Sequence, residues 1–248
     1  MARVRGRAER SRGHGRRPRA GLMSLILPAG LEDEAVLAIA RGAAEAADAF
    51  GAPIVGGNLS RGSELSMTST VIGEAPASPL RRSGARVGDG VFVTGTVGAA
   101  ALGLATLAAG AEDREGASVF VARWRRPRPR FDAAAGLLGL ATSAADVSDG
   151  LAADLGHICE ASGVGAVIER ARLPLEAGHE ELAASLGHDG GRLALAGGED
   201  YELVLTAPPG TRPEAATYIG SVVAGEGVRV LDRDGAELAL PTRGHRHR

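Results

Sequence analysis

Apolar and polar positions recur along the chain with two periods, which predict a succession of strands and helices. A buried strand is expected at 23–28, followed by an amphipathic helix at 31–50 in which alanine, leucine and isoleucine recur at helical spacing. A short apolar strand at 52–58 runs into a glycine turn, and the alternation at 63–75 predicts a long, half-exposed strand. We therefore expect a strand–helix–strand–strand unit over residues 21–76.

Residues 76–90 are rich in proline, serine and glycine, which is typical of a connection between domains, and we place a linker at 77–90. Beyond it, apolar runs and helical spacing continue to alternate. The predicted strands are 91–95, one ending near Val147, 163–169, 201–207 and two short strands near 217–231; the predicted helices are 98–109, 116–124, 131–140, one beginning near Ser148, and 179–187. This alternation predicts an α/β (α+β) fold of two domains, 21–76 and 91–240.

The composition narrows the class of protein. No run approaches the roughly 20 apolar residues that a membrane span requires, and 44% hydrophobic residues are ordinary for a globular protein. Cys159 is the only cysteine, which excludes an intramolecular disulfide and suits a reducing compartment. We therefore expect a cytoplasmic protein with no membrane partner.

The charge of the chain is unevenly distributed. Residues 1–20 contain eight arginines and one glutamate, whereas the whole chain has a formal net charge of −2. Such an arm could bind nucleic acid or imitate an organelle-targeting peptide, but a disordered Arg-rich extension is the simpler interpretation. The rest of the chain offers neither a basic patch nor stacking aromatic residues, which argues against a nucleic-acid partner.

Three turns that combine glycine with a polar side chain follow predicted apolar strands. They are IVGGN at 54–58, DVSDG at 146–150 and LAGGED at 195–200. None fits the P-loop or the dinucleotide-binding glycine pattern. Glycine lets backbone N–H groups approach a ligand, and carboxylates hold magnesium, so the three turns together indicate a phosphate and metal pocket.

The segment AADVSDGLAADL, residues 144–155, admits two interpretations. Ser148 is a good N-cap for the following helix, and Asp149 in its first turn favours the helix dipole. Alternatively, Asp146 and Asp149 hold magnesium and Ser148 contacts a phosphate, because ligands collect at strand ends in open α/β folds. Asp154, further along, is expected to lie on the helix surface or to pack.

Other polar residues could complete such a pocket. Arg82 lies in a glycine-flanked loop that could reach a phosphate, although a solvated linker charge explains it equally well. Glu199 and Asp200 could hold a cationic substrate group or simply cap a turn. The run RRPRPR at 125–130 is interpreted as structural, with proline fixing the approach to a helix and the arginines snorkelling to solvent; a phosphate contact is the alternative.

The motifs, taken in order, resemble those of the thiamine-monophosphate kinase family, a branch of the aminoimidazole-ribonucleotide-synthetase-like superfamily. The resemblance covers roughly residues 22–245 and rests on GGN with SRG, RSGA-x-x-GD with VTGT-x-G, RP-x-PR, DVSDGLAADL and GGEDYEL. It implies the two-domain fold of that superfamily, a homodimer, and ATP-dependent, Mg²⁺-assisted phosphorylation of thiamine monophosphate to thiamine diphosphate.

The resemblance also implies roles for single residues. The implied metal ligands are Asp146, Asp149 and Asn58. The implied ATP-binding residues are Gly57, Asn58, Arg82 and Ser148. Glu199 matches the glutamate that binds the thiamine part, where a carboxylate suits a cationic ring and an aminopyrimidine donor.

The chain departs from the family pattern at three places. Asn58 replaces the usual aspartate, and GHRHR at 244–248 stands where the family has an aromatic residue that packs on the substrate. The family has a further acidic segment before the part that matches Leu22. We therefore expect an N-terminally truncated chain, an incomplete first domain and impaired kinase activity. The alternatives are another ATP-using enzyme of the superfamily, and a nonenzymatic nucleotide-binding or dimerisation module.

Overall fold

The computed structural model describes residues 17–239, whose strands form two sheets. The smaller sheet has the order β2–β1–β3, with β1 parallel to β2 and antiparallel to β3. Helix α1 crosses from β1 to β2, as a parallel connection requires. The bounds are β1 Arg17–Pro28, α1 Asp33–Ala49, β2 Ile54–Gly62 and β3 Ser66–Glu74.

Two predicted boundaries in this part are wrong. Strand β1 begins at Arg17, so residues 17–20, which we assigned to the Arg-rich extension, form part of the strand; residues 1–16 lie outside the described range. The predicted turn at the end of 52–58 is also absent, because β2 continues to Gly62. Gly57 lies within the strand, where a Cβ would come 1.8 Å from the carbonyl oxygen of Met23. The glycine therefore serves a close approach of β1 and β2 rather than a turn.

The strands of the larger sheet are β4 Gly90–Thr94, β5 Ser143–Asp146, β6 Gly165–Glu169, β7 Leu203–Ala207, β8 Ala216–Val223, β9 Gly227–Leu231 and β10 Glu237–Leu238. Their order is β10–β9–β6–β8–β4–β7–β5; within the described residues, β6 and β9 pair in parallel and the other neighbours pair antiparallel. The helices are α2 Ala99–Ala108, α3 Ala117–Arg125, α4 Phe131–Gly136, α5 Leu151–Ser162, α6 His179–Ser185 and α7 Gly190–Ala196, with a 3₁₀ turn at Arg170–Arg172.

Both faces of the larger sheet are covered, and the period-two pattern of β4 explains how. Val91 and Val93 join the largest buried cluster, which includes Leu155 of α5. Phe92, between them, points to the other face and packs in a second cluster with Leu137, just after α4. Alternate side chains of one strand therefore fill two cores, which accounts for the nearly unbroken apolar run.

Three helix predictions need correction. The helix predicted over 131–140 ends at Gly136. The apolar residues before the glycines of LAGGED, which were expected to end a strand, belong to α7, because the Asp189 side chain accepts a hydrogen bond from Arg192 N and caps the helix there. Helix α5 begins at Leu151 rather than near Ser148. Within residues 17–239, no helix combines the length and the apolar character needed to cross a bilayer.

Candidate active site

Two of the three predicted glycine turns lie side by side. Beyond the last β5–β7 pair, Val147 N donates to Glu202 O at 2.8 Å, and Tyr201 N donates to Val147 O at 2.9 Å. Glu199 N then donates to Ser148 O at 2.9 Å. The segments 146–150 and 198–202 therefore form one surface at the carboxyl end of β5, where the sequence predicted a pocket.

Asp146 is the last residue of β5 and is 6% exposed. Its Oδ2 atom is buried and has no hydrogen-bond partner among the described residues. An unpaired buried carboxylate oxygen is costly, and it invites a cation, a water molecule or a ligand donor. Ser148 and Asp149, which follow after Val147, are half-buried, so the three predicted ligands of this turn pass from the buried end of β5 toward the surface.

Ser148 does not cap α5, contrary to the structural interpretation of the sequence. The N-cap position is Gly150, which has φ 123° and makes no side-chain cap bond. The buried carboxylate of Asp154 instead holds the turn before the helix, because its Oδ2 atom accepts from Ser148 N at 2.9 Å and from Asp149 N at 3.0 Å. Asp154 was expected on the helix surface or in packing, and its sequence distance from the turn gave no signal for this bond.

The acids around this turn influence one another. Burial is the main cause that raises the pKa of Asp154 to about 6, and the negative charges of Asp146 and Asp149 raise it further. The hydrogen bonds from Ser148 N and Asp149 N oppose the shift. The carboxylates of Asp146 and Asp149 are therefore close enough to Asp154 for their charges to act on it.

Asp200 and Glu199, which the sequence left between two interpretations, separate in the structure. Asp200 is buried and caps α2, because its carboxylate accepts from Gly98 N at 2.6 Å and from Ala100 N at 3.1 Å. Burial raises the pKa of Asp200 to about 7 against the effect of these bonds. Glu199 is half-buried, and Tyr201 Oη donates to its Oε2 atom at 3.1 Å.

The backbone at this turn is unusual. Glu199 and Tyr201 have φ values of 61° and 52°, a left-handed conformation that is uncommon for residues other than glycine. Gly198 before them has φ 68°, and a Cβ there would lie 2.6 Å from Ser148 O. Conformations of this kind cluster at ligand sites, so they support the interpretation of this turn as functional.

A buried ion pair beside this turn was missed by the sequence analysis. Glu202 Oε2 accepts from Thr94 Oγ1 at 2.7 Å and from Arg130 Nε at 2.7 Å, and Arg130 Nη2 donates to Oε1. Arg123 Nη1 lies 3.9 Å from the same carboxylate. The expectation that Arg130 snorkels to solvent is therefore wrong, because its guanidinium group binds Glu202. Burial raises the pKa of Glu202, and Arg130 opposes that shift.

The remaining predicted ligands lie elsewhere in this chain. Gly57 and Asn58 are exposed in β2, at the edge of the smaller sheet. The backbone of Arg82 is held at the end of α5, where Ser162 Oγ donates to Arg82 O at 3.3 Å. A 12-residue helix is about 18 Å long, so this loop lies at the opposite end of α5 from Ser148. Over residues 17–239, no three His, Cys, Asp or Glu side chains are arranged as a metal site.

Two family models match the chain and define its class. The AIR synthase related protein, N-terminal domain, matches residues 13–75, and the AIR synthase related protein, C-terminal domain, matches residues 86–233. The second match alone covers more than half of the chain. The molecule is therefore an AIR synthase related protein, which confirms the predicted fold class.

Relatives within this class are thiamine-monophosphate kinases. The protein of Escherichia coli (strain K12) is 40% identical over 211 residues, which are 78% of this chain and 63% of the relative. That of Aquifex aeolicus (strain VF5) is 35% identical over 216 residues, 86% of this chain and 70% of the relative. The solved structure named AaThiL complexed with AMPPCP and TMP has a TM-score of 0.85 at 34% identity, covering 94% of this chain and 75% of that one. The chain belongs to the thiamine-monophosphate kinase family, and it spans less than two thirds of the E. coli relative.

Proposed function

We propose that this chain binds ATP and thiamine monophosphate and serves the ATP-dependent phosphorylation of thiamine monophosphate to thiamine diphosphate. The observation that carries the proposal is the joint surface of residues 146–150 and 198–202. Backbone hydrogen bonds between these segments bring Ser148 and the half-buried Glu199 next to each other, and Asp146, with its unpaired buried oxygen, begins the same turn. The related structure complexed with AMPPCP and TMP supports this assignment.

The acidic turn suits the phosphate side of the reaction. Phosphoryl transfer depends mainly on positioning the phosphates and neutralising their charge. Mg²⁺ is commonly held by one or two carboxylates together with waters and substrate phosphates, and Asp146 and Asp149 are the carboxylates that this turn offers; the impaired activity expected from the sequence stays part of the proposal. When bound, Mg²⁺ would neutralise charge on the transferring phosphoryl group. Ser148 then contacts the nucleotide.

Three further residues keep the roles that the family resemblance implies. Asn58 adds an amide oxygen as a metal ligand, the backbone of Gly57 approaches ATP, and Arg82 contacts the nucleotide. Because these residues lie away from the acidic turn in one chain, their roles depend on how ATP and a second copy of the chain are arranged.

Glu199 suits the thiamine side. Its carboxylate is fixed by Tyr201 Oη on one side and by the left-handed backbone of the turn. A half-buried carboxylate is a strong acceptor for an aminopyrimidine N–H and an attractive counter-charge for a cationic ring. Glu199 therefore selects the thiamine part, while the acidic turn serves the phosphates.

The smaller sheet is proposed to pack against a second copy of the chain. Val55 and Leu59 on β2 are 64% and 67% exposed, and Leu22 and Ile72 add to the exposed apolar side chains of this sheet. Edge strands with exposed apolar residues are ready to pair or pack.

The separate family matches support a division into domains at 21–76 and 91–240, with a linker at 77–90. The buried free thiol of Cys159 and the use of ATP favour action in the cytoplasm.

Binding of AMPPCP with and without Mg²⁺, measured by calorimetry, tests the phosphate side. Asp146→Asn should weaken the Mg²⁺-dependent affinity at least tenfold, because it removes the charge of a proposed ligand. Asp132→Asn is the matched control, since it makes the same charge change at an exposed position in α4. Equal effects of the two substitutions, or a wild-type chain whose binding ignores Mg²⁺, would count against the proposal.

A coupled ADP assay with a panel of acceptors separates the alternatives. Turnover that requires thiamine monophosphate and falls in Glu199→Gln supports the proposed reaction. Turnover with another acceptor would favour a different ATP-using enzyme of the superfamily. Nucleotide binding without turnover would favour a nonenzymatic nucleotide-binding or dimerisation module.

A further inference from the structure

We propose that Asp154 is a positioning residue that holds the Ser148–Asp149 turn in its ligand-binding conformation. The inference rests on the proposed function, since it assigns a support to the same site. Asp154 lies in the first turn of α5 and is almost fully buried. It touches the turn through the backbone and is not itself proposed as a ligand.

The first reason is geometric. A single oxygen, Oδ2 of Asp154, accepts from two consecutive amides, Ser148 N at 2.9 Å and Asp149 N at 3.0 Å. From the other side, Glu199 N donates to Ser148 O at 2.9 Å. Both polar faces of this peptide segment are therefore fixed, one by a helix residue and one by the neighbouring GGED segment.

The second reason concerns the side-chain hydroxyl of Ser148. Ser148 precedes α5 and has the side chain of a typical N-cap, which would direct its hydroxyl toward the helix. Because Gly150, and not Ser148, occupies the N-cap position of α5, the Ser148 hydroxyl makes no cap bond and can serve the nucleotide. Hydrogen bonds from amides to a carboxylate are also stronger than bonds between neutral groups, so the turn is held firmly before any ligand arrives.

The two reasons distinguish positioning from direct metal binding. If Asp154 acts by accepting the two amide hydrogens, Asp154→Asn should preserve the function, since its amide oxygen can occupy the place of Oδ2. Asp154→Leu fills similar space but cannot accept. If Asp154 instead binds the metal through its charge, the asparagine and leucine variants should fail alike.

Hydrogen exchange of the ligand-free protein gives a test that does not depend on activity. Asp154→Leu should speed exchange of the Ser148 and Asp149 amides at least tenfold, and Asp154→Asn should restore most of the protection. Ile219→Ala, a fully buried change in β8, which pairs with β4 and β6 and not with β5, controls for loss of global stability. It should leave the protection of these two amides above that in the leucine variant.

Calorimetry with AMPPCP and Mg²⁺ gives the second arm. We expect Asp154→Leu to weaken binding at least tenfold, and both Asp154→Asn and Ile219→Ala to stay within about threefold of the wild type. Unchanged exchange in Asp154→Leu, or equal loss of affinity in the asparagine and leucine variants, would overturn the positioning role. If the wild-type chain binds no AMPPCP, the proposed function fails. The claim that Asp154 prepares the turn for a nucleotide then fails as well, whatever hydrogen exchange shows.

Discussion

Replacing Arg130 with methionine should destabilise this protein mainly by leaving Glu202 without its partner. The Glu202 side chain is 1% exposed, that of Arg130 is 25% exposed, and two hydrogen bonds join them. Methionine retains much of the aliphatic stem of arginine, so packing changes little. The perturbation therefore isolates a buried carboxylate that loses its counter-charge.

The structure sets the size of the expected effect. Removing one partner of a buried ion pair costs about 3–5 kcal/mol. Thr94 Oγ1 still donates to Glu202, and Arg123 remains 3.9 Å away, so we expect a value near the lower end, about 3 kcal/mol at pH 8. Loss of Arg130 raises the folded-state pKa of Glu202 further above its unfolded value. As the pH falls through that raised pKa, the carboxyl takes up a proton, and part of the lost stability returns.

Urea denaturation at pH 8 and at pH 5.5 measures both parts of this prediction. Arg128→Met, in the same RPRPR run but exposed, is the matched control and should change stability by about 0.5 kcal/mol or less. The reasoning fails if Arg130→Met is no more destabilising than Arg128→Met. It also fails if the deficit of Arg130→Met is the same at both pH values.

Two other substitutions test the neighbouring structure. Because burial raises the pKa of Asp200 to about 7, the folded state keeps a proton that the unfolded state releases near pH 4. The stability of the wild type relative to Asp200→Asn should therefore fall as the pH rises from 5 to 7, by at most about 1.4 kcal/mol per pH unit. Above pH 7 this difference should stay constant. Parallel denaturation midpoints across this range would contradict it. In β2, Gly57→Ala should lower the melting temperature, because the new Cβ would collide with Met23 O. Gly56→Ala is the control, because there the nearest atom is a flexible leucine methyl at 3.4 Å. Equal melting temperatures for the two alanine variants would refute this account.

The sequence predicts most of the fold because the apolar periods are local properties. Strand β4 alternates between two cores, and α1 shows an apolar stripe, so both are recognisable from short windows. The errors fall where a distant partner decides the local structure. Gly57 suggests a turn by itself, and only the neighbouring carbonyl of Met23 shows why a glycine lies within a strand.

The same distinction applies to the candidate site. Asp146 and Asp149 were predicted because they stand at a glycine turn next to an apolar run, whereas the role of Glu199 was implied by the family resemblance; the structure brings their segments together. The pair of Arg130 and Glu202 could not be predicted from spacing, because 72 residues separate the partners. Both residues lie within motifs that carry the family resemblance, RP-x-PR and GGEDYEL, but the sequence assigned neither of them a role.

The buried acids of this site divide into those that the fold uses and one that it leaves available. Asp154 is occupied by two backbone amides, Asp200 by the start of α2, and Glu202 by an arginine. Asp146 differs, because one of its buried oxygens lacks a partner within the described part of the chain. Three of the four buried carboxylates have hydrogen-bond partners within the fold, whereas the fourth, at the end of a strand, keeps a buried oxygen that a cation could neutralise. That contrast, more than the number of acids, favours Asp146 as the residue around which a metal and a phosphate would assemble.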